Sequence, residues 1–115
     1  MRLPLLLPAA AVFFSPVIGQ LNKLAKARGL KYFGSATDNP QLSNPEYIAI
    51  LKDVDQFGQI TVGNTQKWMF TEPLQNVPSY TQGDLITNFA RENDQILRCH
   101  NLVWHNELPN WGMKP

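Results

Sequence analysis

From Leu21 onward, apolar positions alternate between a helical and an extended spacing. Leu21, Leu24, Ala25 and Arg28 lie along one helical stripe that Gly29 can end as the residue after the C-cap. Lys31–Ala36, rich in aromatic and small residues, predicts a short strand, and Thr37–Leu42 a loop. Ser43-Asn44-Pro45-Glu46 then opens a second helix, with a capping box and a proline in its first turn. Tyr47, Ile50, Leu51 and Val54 keep the i, i+3, i+4, i+7 spacing, and Gly58 stops the run. Gln59–Val62 predicts a second strand. After a proline-containing loop over Thr71–Tyr80, Thr81 caps a third helix with Leu85, Ile86, Phe89 and Ala90 inward, and Gln95–Cys99 predicts a third strand.

Helices and strands in alternation predict parallel βα units, hence an α/β fold. The residues with the most chemistry follow strand ends: Asn64 and Lys67 after the second strand, His100 and Trp104 after the third. In an eight-fold barrel that face carries the active site. An open doubly wound sheet is the competing architecture, but no glycine-rich phosphate loop follows the first strand. A complete barrel needs roughly 250 residues, whereas this chain has 115. No solenoid-length repeat or low-complexity tract interrupts it.

The first nineteen residues have a different character. Met1-Arg2 gives a basic start, Leu3–Phe14 is apolar apart from Pro4 and Pro8, and Val17-Ile18-Gly19 supplies short residues before a cleavage point. That composition predicts a secretory signal peptide over residues 1–19, too short for a spanning helix, and therefore an extracellular product. A buried N-terminal helix is opposed by Pro4, Pro8 and Pro16. Ten basic against nine acidic residues give a formal charge of +1, and removal of Arg2 leaves a near-neutral mature chain. Neutrality gives no electrostatic reason to bind nucleic acid or an anionic membrane, and a monomer is expected. The single cysteine, Cys99, cannot close an internal disulfide and reads as a small buried residue at a strand end.

The densest chemistry lies in His100-Asn101-Leu102-Val103-Trp104-His105-Asn106-Glu107-Leu108-Pro109-Asn110-Trp111. Two histidines five apart are not a metal site, and with no His-Glu-x-x-His, second cysteine or aspartate cluster, a zinc or calcium centre is not expected. Indoles beside imidazole and amide groups suit a sugar, whose apolar face stacks on a ring while polar groups read its hydroxyls. The bland reading, that these aromatics are barrel core, stands beside it on residue types alone.

The segment resembles the His-x-Leu-Val-Trp-His-x-x-Leu-Pro-x-Trp signature of glycoside hydrolase family 10, the endo-1,4-β-xylanases. A second block, Thr61-Val62-Gly63-Asn64-Thr65-Gln66-Lys67-Trp68, matches the family's Thr-Pro-Glu-Asn-x-Met-Lys-Trp in part. The resemblance runs from about Leu21 to Trp111. It implies that residues 20–115 are the N-terminal part of a family 10 domain, the first three βα units of an incomplete (β/α)₈ TIM barrel. A truncated gene model, or an intron read through to a stop, would produce such a chain.

What the resemblance implies for chemistry is a secreted xylan-degrading hydrolase of the retaining type. Such enzymes use two carboxylates about 5–5.5 Å apart, which the family places on its fourth and seventh strands. No catalytic residue is then expected in this chain, no cofactor is implied, and the partner is xylan or a xylo-oligosaccharide. Asn64 and Lys67 would bond a xylose hydroxyl on the glycone side, His100 a hydroxyl of the sugar being cleaved, and Trp104 would wall that subsite. Glu107, where the family usually carries Gln, would read a hydroxyl. His105 would stand behind these, and Trp68 and Trp111 would be packing residues. Gly63 replaces a sugar-binding Glu and Gln66 a Met, so the outer glycone subsite is expected to be weaker than usual, and Gly63→Glu to strengthen it. Glu46, Asp53 and Asp55 are expected on the second helix, and Glu72 and Glu92 as solvated charges. A non-catalytic xylan-binding protein and a chain with no stable fold are the competing readings.

Overall fold

A computed structural model describes residues 19–113, so the predicted signal segment lies outside the described residues apart from Gly19. The order is α1 (Leu21–Ala27), β1 (Gly34–Thr37), a 3₁₀ turn (Asn39–Ser43), α2 (Pro45–Leu51), β2 (Gln59–Val62), α3 (Trp68–Thr71), α4 (Thr81–Glu92), β3 (Ile96–Arg98) and a second 3₁₀ turn (Asn110–Gly112). The three strands form one parallel sheet in the order β1-β2-β3. Gly34 pairs with Gln59 and Thr37 with Val62, while Gln59 pairs with Ile96 and Thr61 with Arg98.

Strand alternation divides the sheet into two unlike faces. Ile60 and Val62 point toward the helices and join Leu51 of α2 with Ile86 and Ala90 of α4 in a fully buried core, edged by Leu42, Tyr47, Phe57, Phe89 and Leu97. Gln59 and Thr61 occupy the other face, where the Gln59 amide donates to the Thr61 hydroxyl at 2.8 Å. Gly34 makes room for this arrangement, because a Cβ there would meet the Gln59 carbonyl oxygen at 2.7 Å.

Several local expectations change in the folded chain. On α1 only Ala25 of the apolar stripe is buried: Asn22 joins it inward, while Leu21 and Leu24 are exposed. Backbone demand explains the inversion. Asn22 Nδ2 donates to the Val54 carbonyl at 2.7 Å, and its Oδ1 accepts from the Phe33 N–H at 2.8 Å. Gly58 serves this contact, since a Cβ there would lie 2.6 Å from Asn22 Oδ1. Asn22→Ala would strand one donor and one acceptor, each at a cost of about 1–3 kcal/mol. Amide exchange at Phe33 is expected to accelerate by on the order of tenfold, and unchanged protection there would refute the contact.

α2 is shorter than its periodicity suggests, ending at Leu51 and leaving Ile50 and Val54 exposed. Beyond it, Asp53 Oδ1 accepts from the Asp55 N–H at 2.9 Å, a local turn that competes with helical bonding. Asp53 and Asp55 therefore lie after the helix. Its cap is Asn44, whose side chain accepts from Glu46 and Tyr47, whereas the Ser43 hydroxyl donates to the Pro40 carbonyl. Thr81 is the first helical residue of α4, with Tyr80 as N-cap and no side-chain cap bond. Within α4, Ile86 and Ala90 are buried and Phe89 is half-buried, but Leu85 is exposed.

The strands shift too. β1 begins at Gly34 because the N–H of Phe33 goes to Asn22 and the Phe33 ring stacks on Phe57 at 6.1 Å. Gln95 precedes β3 and is buried through its amide, which donates to the carbonyls of Leu51 and Phe57 at 2.8 and 2.7 Å. Cys99 lies past the strand end and is exposed, contrary to the buried position expected of it. No helix among the described residues is long and apolar enough to cross a membrane.

Candidate functional site

The C-terminal ends of β1 and β2 bring three residues into one hydrogen-bonded chain. Asp38, directly after β1, accepts from the Asn64 N–H at 3.1 Å and from Asn64 Nδ2 at 2.8 Å, both through Oδ2. Asn64 Oδ1 in turn accepts from Lys67 Nζ at 2.7 Å. Lys67 is buried, and its ammonium stands 4.8 Å from the centroid of the Trp104 ring. A cation over an indole face is attracted by the ring quadrupole, more strongly where water is excluded. The loop after β3 is thereby joined to the loop after β2 by a polar, aromatic-walled contact. A cavity of about 450 Å³ borders it, lined in part by Asp38, Gly63 and Asn64.

The signature loop is held by different bonds. Trp68 and Trp111 meet edge to face at 5.3 Å. The Trp68 indole donates to Glu72 Oε2 and the Trp111 indole to the Glu72 backbone carbonyl, both at 3.0 Å. Glu72 Oε1 also accepts from the Asn76 N–H at 2.7 Å. Both tryptophans are thus packing residues, as expected, while Glu72 is an anchor rather than a solvated charge. Its position in a loop concealed that role, because the indoles that reach it come from both sides of the chain.

The five expected contact residues fare differently. Asn64, Lys67 and Trp104 come together as described. Glu107 is tied elsewhere, to α3, where its backbone carbonyl accepts from the Met69 N–H at 3.0 Å, and it adopts a left-handed φ of 58°. His100 follows β3 and is exposed, and the His100–Asn101 peptide bond is cis. His105 packs edge-on against Trp104 at 5.2 Å and is exposed. Asp38 escaped the sequence reading because it fell inside a presumed loop. It stands two residues past the predicted end of the first strand, as Asn64 does past the second, so the strand-end position was the signal that could have found it.

A family profile described as Glycosyl hydrolase family 10 matches residues 20–114. The chain belongs to glycoside hydrolase family 10. It is 54% identical over 92 residues to endo-1,4-beta-xylanase D of Talaromyces funiculosus, covering 80% of this chain and 22% of that protein. To an endo-1,4-beta-xylanase of Agaricus bisporus it is 50% identical over 92 residues, covering 80% and 28%. The crystal structure of a family 10 xylanase from Bispora sp. MEY-1 with xylobiose superposes with a TM-score of 0.75 at 39% identity, over 81% of this chain and 28% of that one. The chain thus spans less than a third of the length of these relatives, and its three parallel strands are part of a family 10 barrel.

One substitution meets a steric condition in the folded chain. A Cβ on Gly63 would lie 2.9 Å from Asp38 Oδ2, so Gly63→Glu requires the Asp38 side chain to shift away from Asn64. Gly63→Glu is therefore expected to weaken xylo-oligosaccharide binding, with a Kd for xylotriose at least severalfold higher by calorimetry. A lower Kd would restore the original expectation.

Proposed function

We propose that this chain forms the glycone-side sugar-binding wall of a xylan hydrolase, with Asn64, Lys67, His100, Trp104 and Glu107 contacting xylose units. The observation that carries the reading is Lys67, a buried ammonium held by Asn64 Oδ1 against the Trp104 face. Burying such a charge is costly unless it has polar partners. Here its partners stand at strand ends, where a barrel enzyme meets its substrate. An ammonium and a carboxamide offer donors and an acceptor to sugar hydroxyls, and the indole offers an apolar face to the ring. Titration of the chain with xylotriose, followed by the indole resonances, is expected to shift Trp104 and to leave the Trp68–Trp111 pair less affected. No response at Trp104 would refute the reading.

The substrate is xylan or a xylo-oligosaccharide and the setting extracellular, with residues 1–19 as the export signal. The chemical step, by contrast, needs an acid/base and a nucleophile about 5–5.5 Å apart. Asp38 is committed to Asn39 and Asn64 and Glu72 to Trp68 and Asn76, which leaves Glu107 in the wall with no second carboxylate free to pair with it. The 115-residue chain by itself is therefore expected to release no more reducing sugar from xylan than buffer does. Cleavage that survives purification and is lost in Glu107→Gln would overturn this, making Glu107 a reacting group.

A further inference from the structure

Between Asp38 and Lys67 the Asn64 side chain has only one sensible orientation. A carboxylate only accepts hydrogen bonds and an ammonium only donates them, so a carboxamide between them must turn its NH₂ to the first and its oxygen to the second. The distances are those of that orientation, 2.8 Å to Asp38 Oδ2 and 2.7 Å to Lys67 Nζ. We propose that Asp38 is a positioning residue for the sugar-binding wall, setting the Asn64 amide so that Lys67 is held over Trp104. The inference rests on the reading of Asn64 and Lys67 as xylose contacts, and it adds a residue that touches no sugar.

Asp38 is suited to this by its surroundings. Its Oδ1 accepts from the Asn39 N–H at 3.1 Å and so fixes the carboxylate against the following 3₁₀ turn. Its Oδ2 takes both the backbone and the side-chain N–H of Asn64. Gly63 leaves the space this approach requires. Its negative charge also stands one amide away from a buried cation, where the attraction is less screened than at an open surface. The competing role is purely local, Asp38 as the cap of the turn.

The two roles separate in a pair of variants. Asp38→Asn keeps an oxygen for the Asn39 N–H but presents an amide toward Asn64, which then turns its own NH₂ toward Lys67. Adding Asn64→Asp returns an acceptor to Lys67 and a donor–acceptor match between the two side chains, while the backbone N–H of residue 64 stays without the acceptor it has in the parent. The readout is the Lys67 Cε–H resonance of the 115-residue chain carrying ¹³C-labelled lysine, assigned by its loss in Lys67→Arg and displaced upfield by the Trp104 ring. The displacement is expected in the parent chain, lost in Asp38→Asn and regained in the double variant, with amide dispersion kept in all three. The proposal is overturned by an undisplaced Lys67 signal in the parent, by a displacement that persists in Asp38→Asn, or by a double variant that does not regain it. Collapse of amide dispersion in Asp38→Asn also overturns it, because the residue would then be holding the fold. If Asp38→Asn and the double variant behave as expected while xylotriose leaves the parent spectrum unchanged, the positioning role stands and the sugar assignment fails.

Discussion

Lys67→Ala, placed in a complete family 10 catalytic domain that carries residues 20–111 as its opening strands, is expected to lower kcat/KM on xylan by on the order of 10²-fold, about 3 kcal/mol. Three losses combine. The Asn64 oxygen loses its ammonium partner, the Trp104 face loses its cation, and any sugar hydroxyl served by Lys67 loses a charged donor. Hydrogen bonds to charged groups contribute about 1.5–3 kcal/mol each, so the estimate does not need all three at full strength. Lys67→Met separates charge from volume: it fills the buried space but makes no hydrogen bond, and should be impaired nearly as much. His100→Ala, at an exposed position after β3, should also lower turnover. Wild-type kcat/KM in Lys67→Ala would remove the residue from the site.

The second large effect is on the fold. Ile86 of α4 is completely buried and lies in a core whose fully buried members are Leu51, Ile60, Val62, Ile86 and Ala90. Deleting its branched side chain in Ile86→Ala removes transfer free energy and leaves a void, together costing about 2–5 kcal/mol. Small domains have in total only about 5–15 kcal/mol, and a core this small sits at the low end. Amide dispersion in the 115-residue chain is expected to collapse in Ile86→Ala and to survive in Leu85→Ala, one position earlier on the same helix but half exposed. A dispersed spectrum in both variants would show that α4 does not seal the core through Ile86.

The periodicities of the chain were sufficient to place the elements that alternate between helix and sheet. Gln59–Val62 read correctly as a strand, and Ile86 and Ala90, four apart, as an inward helix face, because period and burial coincide there. The resemblance carried by His100–Trp111 named the family, because a run of fixed residue types is local information. Asn64, Lys67 and Trp104 were singled out for a similar reason, each standing just past a strand end.

Other features are decided only when distant segments meet. Whether α1 turns its leucines or Asn22 inward depends on carbonyls and amides 11 and 32 positions away. No helical stripe encodes that demand, and a buried backbone group must be satisfied before an apolar side chain is covered. The role of Glu72 depends on two indoles that reach it from positions 4 and 39 residues away. Asp38 gains its place from Asn64, 26 residues on, and from the space that Gly63 leaves. Residue types along the chain, with the family resemblance they carry, single out candidates for sugar contact. Only the parallel pairing of β1 with β2 puts a carboxylate, an amide and an ammonium in line, because hydrogen-bond partners are chosen by position in space and not by separation in sequence.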